Sequence, residues 1–132
     1  NIPEAESLTG LTIGGPDDME TVAHAILAMG PASVLLKGGH LKGNQLVDVL
    51  VTPLGAQRFE SNRIETRHTH GTGCTLASAI ATGLSQGMMI EEAVGRARNY
   101  VLEAIRQAPG FGEGHGPLHH GHTVTQFPLD GC

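Results

Sequence analysis

In GGPDDMETVAHAILAMGP, the apolar residues Met19, Val22, Ile26 and Met29 fall three or four positions apart, on one face of a helix. Asp17 followed by Glu20 forms a capping-box pattern at its start, and Gly30 with Pro31 ends it. Val94, Ala97, Val101 and Ala104 keep the same rhythm and predict a helix over 90–107. Over 72–87, Leu76, Ile80 and Leu84 share one face, while Ala77, Ala79 and Ala81 would let that helix lie close to a sheet. Residues 3–10 predict a short helix, with proline in its first turn and glycine past its end. Other stretches are apolar without that rhythm. SVLLKGG, residues 33–39, reads as a buried parallel strand delivering Lys37 at its C-terminal end. Residues 45–52 and 56–61, separated by PLG, read as a hairpin or two adjacent strands. Residues 64–70 predict a further short strand, and the chain beyond Pro109 predicts loop. Helices alternating with apolar strands indicate an α/β layered fold with a mostly parallel central sheet flanked by helices.

Composition narrows the class. The 132 residues suffice for one domain with a core. A net charge of −5, from 13 acids against 8 Lys and Arg, argues against a nucleic-acid binder, which needs a basic face. No apolar run approaches the roughly 18–20 residues of a membrane span. No basic and then apolar leader is visible, so a cytoplasmic setting is expected. Two cysteines, Cys74 and Cys132, are too few for a disulfide framework and fit that reduced compartment. Nineteen glycines with only 3% aromatics suggest tight turns and close main-chain approaches. The opening on Asn1 rather than Met suggests a fragment or processed piece.

Candidate chemistry concentrates in HTHGTGCTLASAIATG, residues 68–83. Gly71 and Gly73 let the main chain turn and approach a ligand. The unpaired first amides of the following helix, with its dipole, form an anion site for a phosphate. The spacing is not that of a Walker A loop. Cys74 at such a helix start would be a thiol of lowered pKa, although a small residue packed under a turn fits the local pattern equally. Lys37, at a strand end, would meet phosphate oxygens in the crevice where open α/β sheets bind ligands; alone, a solvent-facing lysine is commoner. Asn1 and Glu4 offer oxygens suited to a hydrated magnesium ion; alone, Glu4 also fits an acid in a first helical turn.

NIPEAESLTG, VLLKGGH and HGTGCTLASAIATGLSQG occur in that order, and together they resemble the ribokinase-like superfamily. Within it they are similar to the hydroxymethylpyrimidine/phosphomethylpyrimidine kinases of thiamine biosynthesis. Superfamily relatives usually carry an aspartate where Cys74 stands; GTGCT with KGGH is the form typical of the pyrimidine kinases. GEGHGPLHH, residues 112–120, also resembles the family's C-terminal segment, whereas HGHTVTQFPLDGC lies outside the match. The resemblance implies a ribokinase-like fold of which residues 1–132 are the C-terminal, nucleotide-side half. The preceding half would carry the first strands, the lid and most of the pyrimidine pocket. It implies an ATP- and Mg2+-dependent kinase acting on 4-amino-5-hydroxymethyl-2-methylpyrimidine and then on its monophosphate, homodimeric when complete. By motif position, Asn1 and Glu4 match the Asn-x-x-Glu element that organises magnesium and phosphates, and Lys37 matches the phosphate-bridging lysine. Gly71, Thr72 and Gly73 match the anion hole. Cys74 matches the residue near the acceptor hydroxyl.

Three other readings compete. A pyridoxal kinase would use the same ATP machinery on a similar heteroaromatic alcohol. A metal-binding module could use His115, His119, His120 and His122, with His68 and His70 elsewhere, although their spacing is irregular. An inert fragment would expose an apolar strand edge and need its missing half to be soluble. His24 and His40 read as ordinary, partly buried histidines.

Overall fold

The computed structural model describes residues 1–39, 41 and 43–124. The chain forms two compact units, Asn1–Arg63 and Ile64–Cys132.

The first unit holds α1 (Ile2–Thr9), α2 (Pro16–Leu27), β1 (Val34–Lys37), β2 (Gln45–Thr52) and β3 (Gly55–Asn62). The strands form one sheet in the order β1-β2-β3, and both pairings are antiparallel. This corrects the parallel expectation for β1. Only residues 38–44 join β1 to β2, well short of the roughly dozen residues that a parallel crossover needs. The apolar run of β1 carries no strand direction, and in it only Leu36 is buried. Val49, Leu50 and Val51 are all buried, so the central strand β2 reads like a parallel one. Residues 45–62 do form a hairpin, in which Thr52 faces Gly55 across Pro53 and Leu54.

The core of this unit is built by alternation. Leu36 on β1 and Val47, Val49 and Val51 on β2 share a cluster with Met19, Val22 and Ala23 of α2 and with Ile2 and Ala5 of α1. Each large side chain buried in this way contributes about 1.5–3 kcal/mol. Ile26 packs against the cluster, but Met29 lies past the helix end and is exposed.

The cap of α2 is Gly15, not Asp17. Pro16 takes the first helical turn, where its fixed φ suits the helix and its missing N–H costs nothing. Asp17 and Glu20 instead accept from the Arg58 guanidinium of β3, at 2.8 and 3.2 Å. His24 is exposed rather than partly buried. His40, Cys132 and the tail from residue 125 lie outside the described residues.

The second unit is a helical pair, α3 (Thr72–Ser85) and α4 (Ile90–Arg106), with a short 3-10 turn over His120–Thr123. Gly83 of α3 serves a helix–helix contact with α4. Gly83 is buried, and a Cβ there would sit 2.9 Å from the Cβ of Ala93. Ala77, Ala81 and Leu84 are exposed; Leu76 is buried and Ile80 partly so. On α4, Val94, Ala97, Val101 and Ala104 are all buried, as their periodicity predicts. Glu91 and Glu92 in its first turn and Arg106 in its last complement the helix dipole. Residues 64–70 form no named strand; an isolated parallel bridge joins His70 to Pro117.

Candidate active site

In the first unit, α1 starts on a capping box. Asn1 Oδ1 accepts from the Glu4 N–H (3.0 Å), and the Asn1 nitrogen donates to Glu4 Oε2 (2.8 Å). Ile2 and Ala5 of α1 share a core cluster with Leu36 of β1, so Asn1, Glu4 and Lys37 sit on neighbouring elements. Glu4 remains 69% exposed, and its Oε1 has no partner among the described residues.

Two residues that sequence reasoning missed fix the chain around Lys37. Asp48 is its cross-strand partner, and Asp48 Oδ1 accepts from the Gly38 N–H at 2.9 Å. Gly38 is itself required, because a Cβ there would overlap the carbonyl oxygen of Val47. Arg63, just past β3, stitches the loop after Lys37. Its guanidinium donates to the carbonyls of Leu41 (2.7 Å), Gly43 (3.0 Å) and Gly39 (3.2 Å).

In the second unit, Gly71 caps α3 in the left-handed region, at φ 84°, and no side chain caps the helix. The Thr72 N–H makes a long bond to Thr69 O (3.4 Å), and the first regular helical bond runs from the Thr75 N–H to Gly71 O (2.9 Å). The N–H groups of Gly73 and Cys74 therefore have no acceptor among the described residues. The Cys74 thiol is free and exposed. These are the features of an anion cradle: open amides, a left-handed glycine entry and the positive end of a fourteen-residue helix.

The histidines do not converge. Among the described residues, no group of three or more His, Cys, Asp or Glu side chains is placed to hold a metal. His115 Nδ1 lies 3.2 Å from Arg67 O, while the rings of His120 and His122 pack on Tyr100.

Comparison with known proteins gives this arrangement its setting. The profile of the phosphomethylpyrimidine kinase family matches residues 1–119. Over 120 residues the chain is 50% identical to the thiamine biosynthesis bifunctional protein ThiED of Geobacter sulfurreducens, covering 91% of this chain and 24% of that protein. Over 125 residues it is 45% identical to the hydroxymethylpyrimidine/phosphomethylpyrimidine kinase of Rhizobium meliloti, covering 92% of this chain and 47% of that one. The solved structure of Staphylococcus aureus pyridoxal kinase with AMP-PCP and pyridoxal matches at a TM-score of 0.86 and 30% identity, over 92% of this chain and 46% of that one.

The fold is thus the ribokinase-like α/β fold of small-molecule kinases, within which the three strands of the first unit run antiparallel. The chain belongs to the phosphomethylpyrimidine kinase family. It spans about half the length of the curated kinases it matches, and about a quarter of the bifunctional protein.

Proposed function

We propose that this chain supplies the nucleotide and phosphate side of an ATP-dependent kinase of hydroxymethylpyrimidine and its monophosphate. The observation that carries the reading is the open N-terminus of α3, where the Gly73 and Cys74 amides lack acceptors in a chain of this family. The acceptor hydroxyl oxygen attacks the γ-phosphorus, the bond to the β–γ bridging oxygen breaks, and ADP leaves with that electron pair. Such a transfer asks the protein for positioning and charge neutralisation more than for covalent chemistry. The amides of Gly71 to Cys74 receive charge on the moving phosphoryl group. Lys37 meets the phosphate oxygens. Cys74 orients the acceptor hydroxyl or takes its proton.

The residues present fit magnesium only in its usual hydrated form. Glu4 is an exposed carboxylate with one free oxygen, and Asn1 Oδ1 is engaged by the capping box. Glu4 would hold the ion together with water and phosphate oxygens, and the ion would supply charge neutralisation. The rest of the protein would complete the pyrimidine pocket and a homodimer.

A pyridoxal kinase is the second reading, favoured by the match to an enzyme solved with pyridoxal. One assay separates the two. The full-length protein is given ATP with 4-amino-5-hydroxymethyl-2-methylpyrimidine or with pyridoxal, and products are read by mass spectrometry. Two successive phosphoryl additions to the pyrimidine support the proposal; phosphorylation of pyridoxal alone overturns it.

A further inference from the structure

GEGHGPLHH takes no part in the chemistry proposed for the site, yet its neighbourhood holds the anion loop. Residues 110–117 lie along residues 67–70, which lead directly into Gly71–Cys74. The Arg67 guanidinium donates to the carbonyls of Gly112 (3.2 Å) and Glu113 (3.3 Å). His115 Nδ1 lies 3.2 Å from Arg67 O, and the His70 N–H donates to Gly116 O at 3.3 Å. His70 and Pro117 form the parallel bridge. Apart from the His115 ring, the 110–117 side of these hydrogen bonds is main chain, so the path of the loop matters more than its side chains.

The closest contact is between His68 and Gly116. Gly116 is buried, and a Cβ there would overlap His68 Nδ1 and lie 2.9 Å from both His68 Cε1 and Phe111 O. His68 Nδ1 is buried and has no hydrogen-bond partner among the described residues. A buried, unpaired ring nitrogen costs stability, so a purely structural role would be better filled by an apolar side chain. What the ring does provide is a flat, rigid surface that admits only glycine opposite it.

We propose that residues 110–117 are a positioning brace for the phosphate-binding loop, closed by the contact of Gly116 with His68. His68 is a positioning residue and acts through Gly71–Cys74. The inference rests on the reading that those amides hold the transferred phosphoryl group. Displacing residues 67–70 displaces Gly71, because the helix start hangs on Thr69 O and Gly71 O.

The test is Gly116→Ala in the full-length protein, alone and with His68→Ala. Gly116→Ala lowers kcat about a hundredfold, the loss that a misplacement of about 1 Å causes, and leaves the KM for ATP within about twofold. Adding His68→Ala removes the overlapping ring and recovers about tenfold of the loss. Gly114→Ala, whose Cβ meets nothing within 4 Å, keeps the parent kcat.

A readout independent of catalysis is the rate at which iodoacetamide alkylates the exposed Cys74 thiol in the first turn of α3. That rate changes at least about threefold in Gly116→Ala and returns towards the parent in the double variant. Parent-like alkylation and kcat in Gly116→Ala overturn the brace, as does a double variant no better than Gly116→Ala. If Gly116→Ala fails to fold by circular dichroism, a folded double variant supports the proposal and an unfolded one overturns it. If the parent phosphorylates neither alcohol, the kinase reading fails, while the alkylation rates still decide the brace.

Discussion

The two units treat their polar groups differently. Around Lys37 several polar groups are tied to one another: Asn1 and Glu4 bond to each other, Asp48 holds the Gly38 amide, and Arg63 ties three carbonyls. At the start of α3 the reverse holds. Among the described residues, two amides lack acceptors and the buried His68 Nδ1 has no partner, and the entry is left-handed. Folded proteins rarely leave backbone donors unsatisfied unless solvent or a ligand completes them. The first arrangement therefore fixes charges in place. The second leaves donors open to solvent or, in the function proposed, to a phosphate.

The largest effect expected on that contrast comes from the engaged side. Gly38→Ala would drive a Cβ into the Val47 carbonyl and destabilise the protein by about 2–4 kcal/mol, whereas Gly39→Ala, with open space around its Cβ, should change stability by less than about 0.5 kcal/mol. Urea unfolding of both variants checks this. Equal losses would mean that the loop is held by something other than close approach.

On the open side, Cys74 is the sharper probe. If the thiol takes the proton, Cys74→Ala should lower kcat about 10²–10⁴-fold and Cys74→Asp should restore part of it. Near-parent kcat in both would leave the amides carrying the step alone. Lys37→Met should act mainly on nucleotide binding, raising the KM for ATP by about tenfold or more, read by initial rates. An unchanged KM would take Lys37 out of the phosphate site.

The sequence made one side of this contrast easier to read than the other. The helical face of α4 and the bounds of β2 follow from local periodicity, because burial repeats with the geometry of the element. GTGC announced the turn into α3 because a left-handed entry favours glycine, as Gly71 shows. Strand direction was not legible: the apolar run Val34–Leu36 of β1, in which only Leu36 is buried, looks the same in either sense. The cap at Gly15 was hidden because Asp17 and Glu20 mimic a capping box while serving Arg58 on a distant strand. Arg63 and the Gly116–His68 contact are long-range in sequence. Nothing local in GHGP or NRIE shows which main-chain groups they meet.

Smaller effects sharpen the engaged side further. Asn1→Ala should cost about 1 kcal/mol through loss of the cap, seen in thermal unfolding. Lys37→Met should raise the pKa of the Glu4 carboxyl, since the ammonium acts to lower it. Carboxyl NMR titration of Glu4 reads the shift, and an unmoved titration would separate Lys37 from the Asn1–Glu4 pair.

The central claim is that the open amides of Gly73 and Cys74 receive the nucleotide's terminal phosphate. Its most direct measurement is backbone amide NMR of the full-length protein titrated with AMP-PCP and magnesium. The Gly73 and Cys74 amide protons should move downfield and become protected from exchange, while the Gly87 amide, already bonded to Leu84 O, stays in place. Saturated nucleotide binding with Gly73 and Cys74 unmoved would contradict the account.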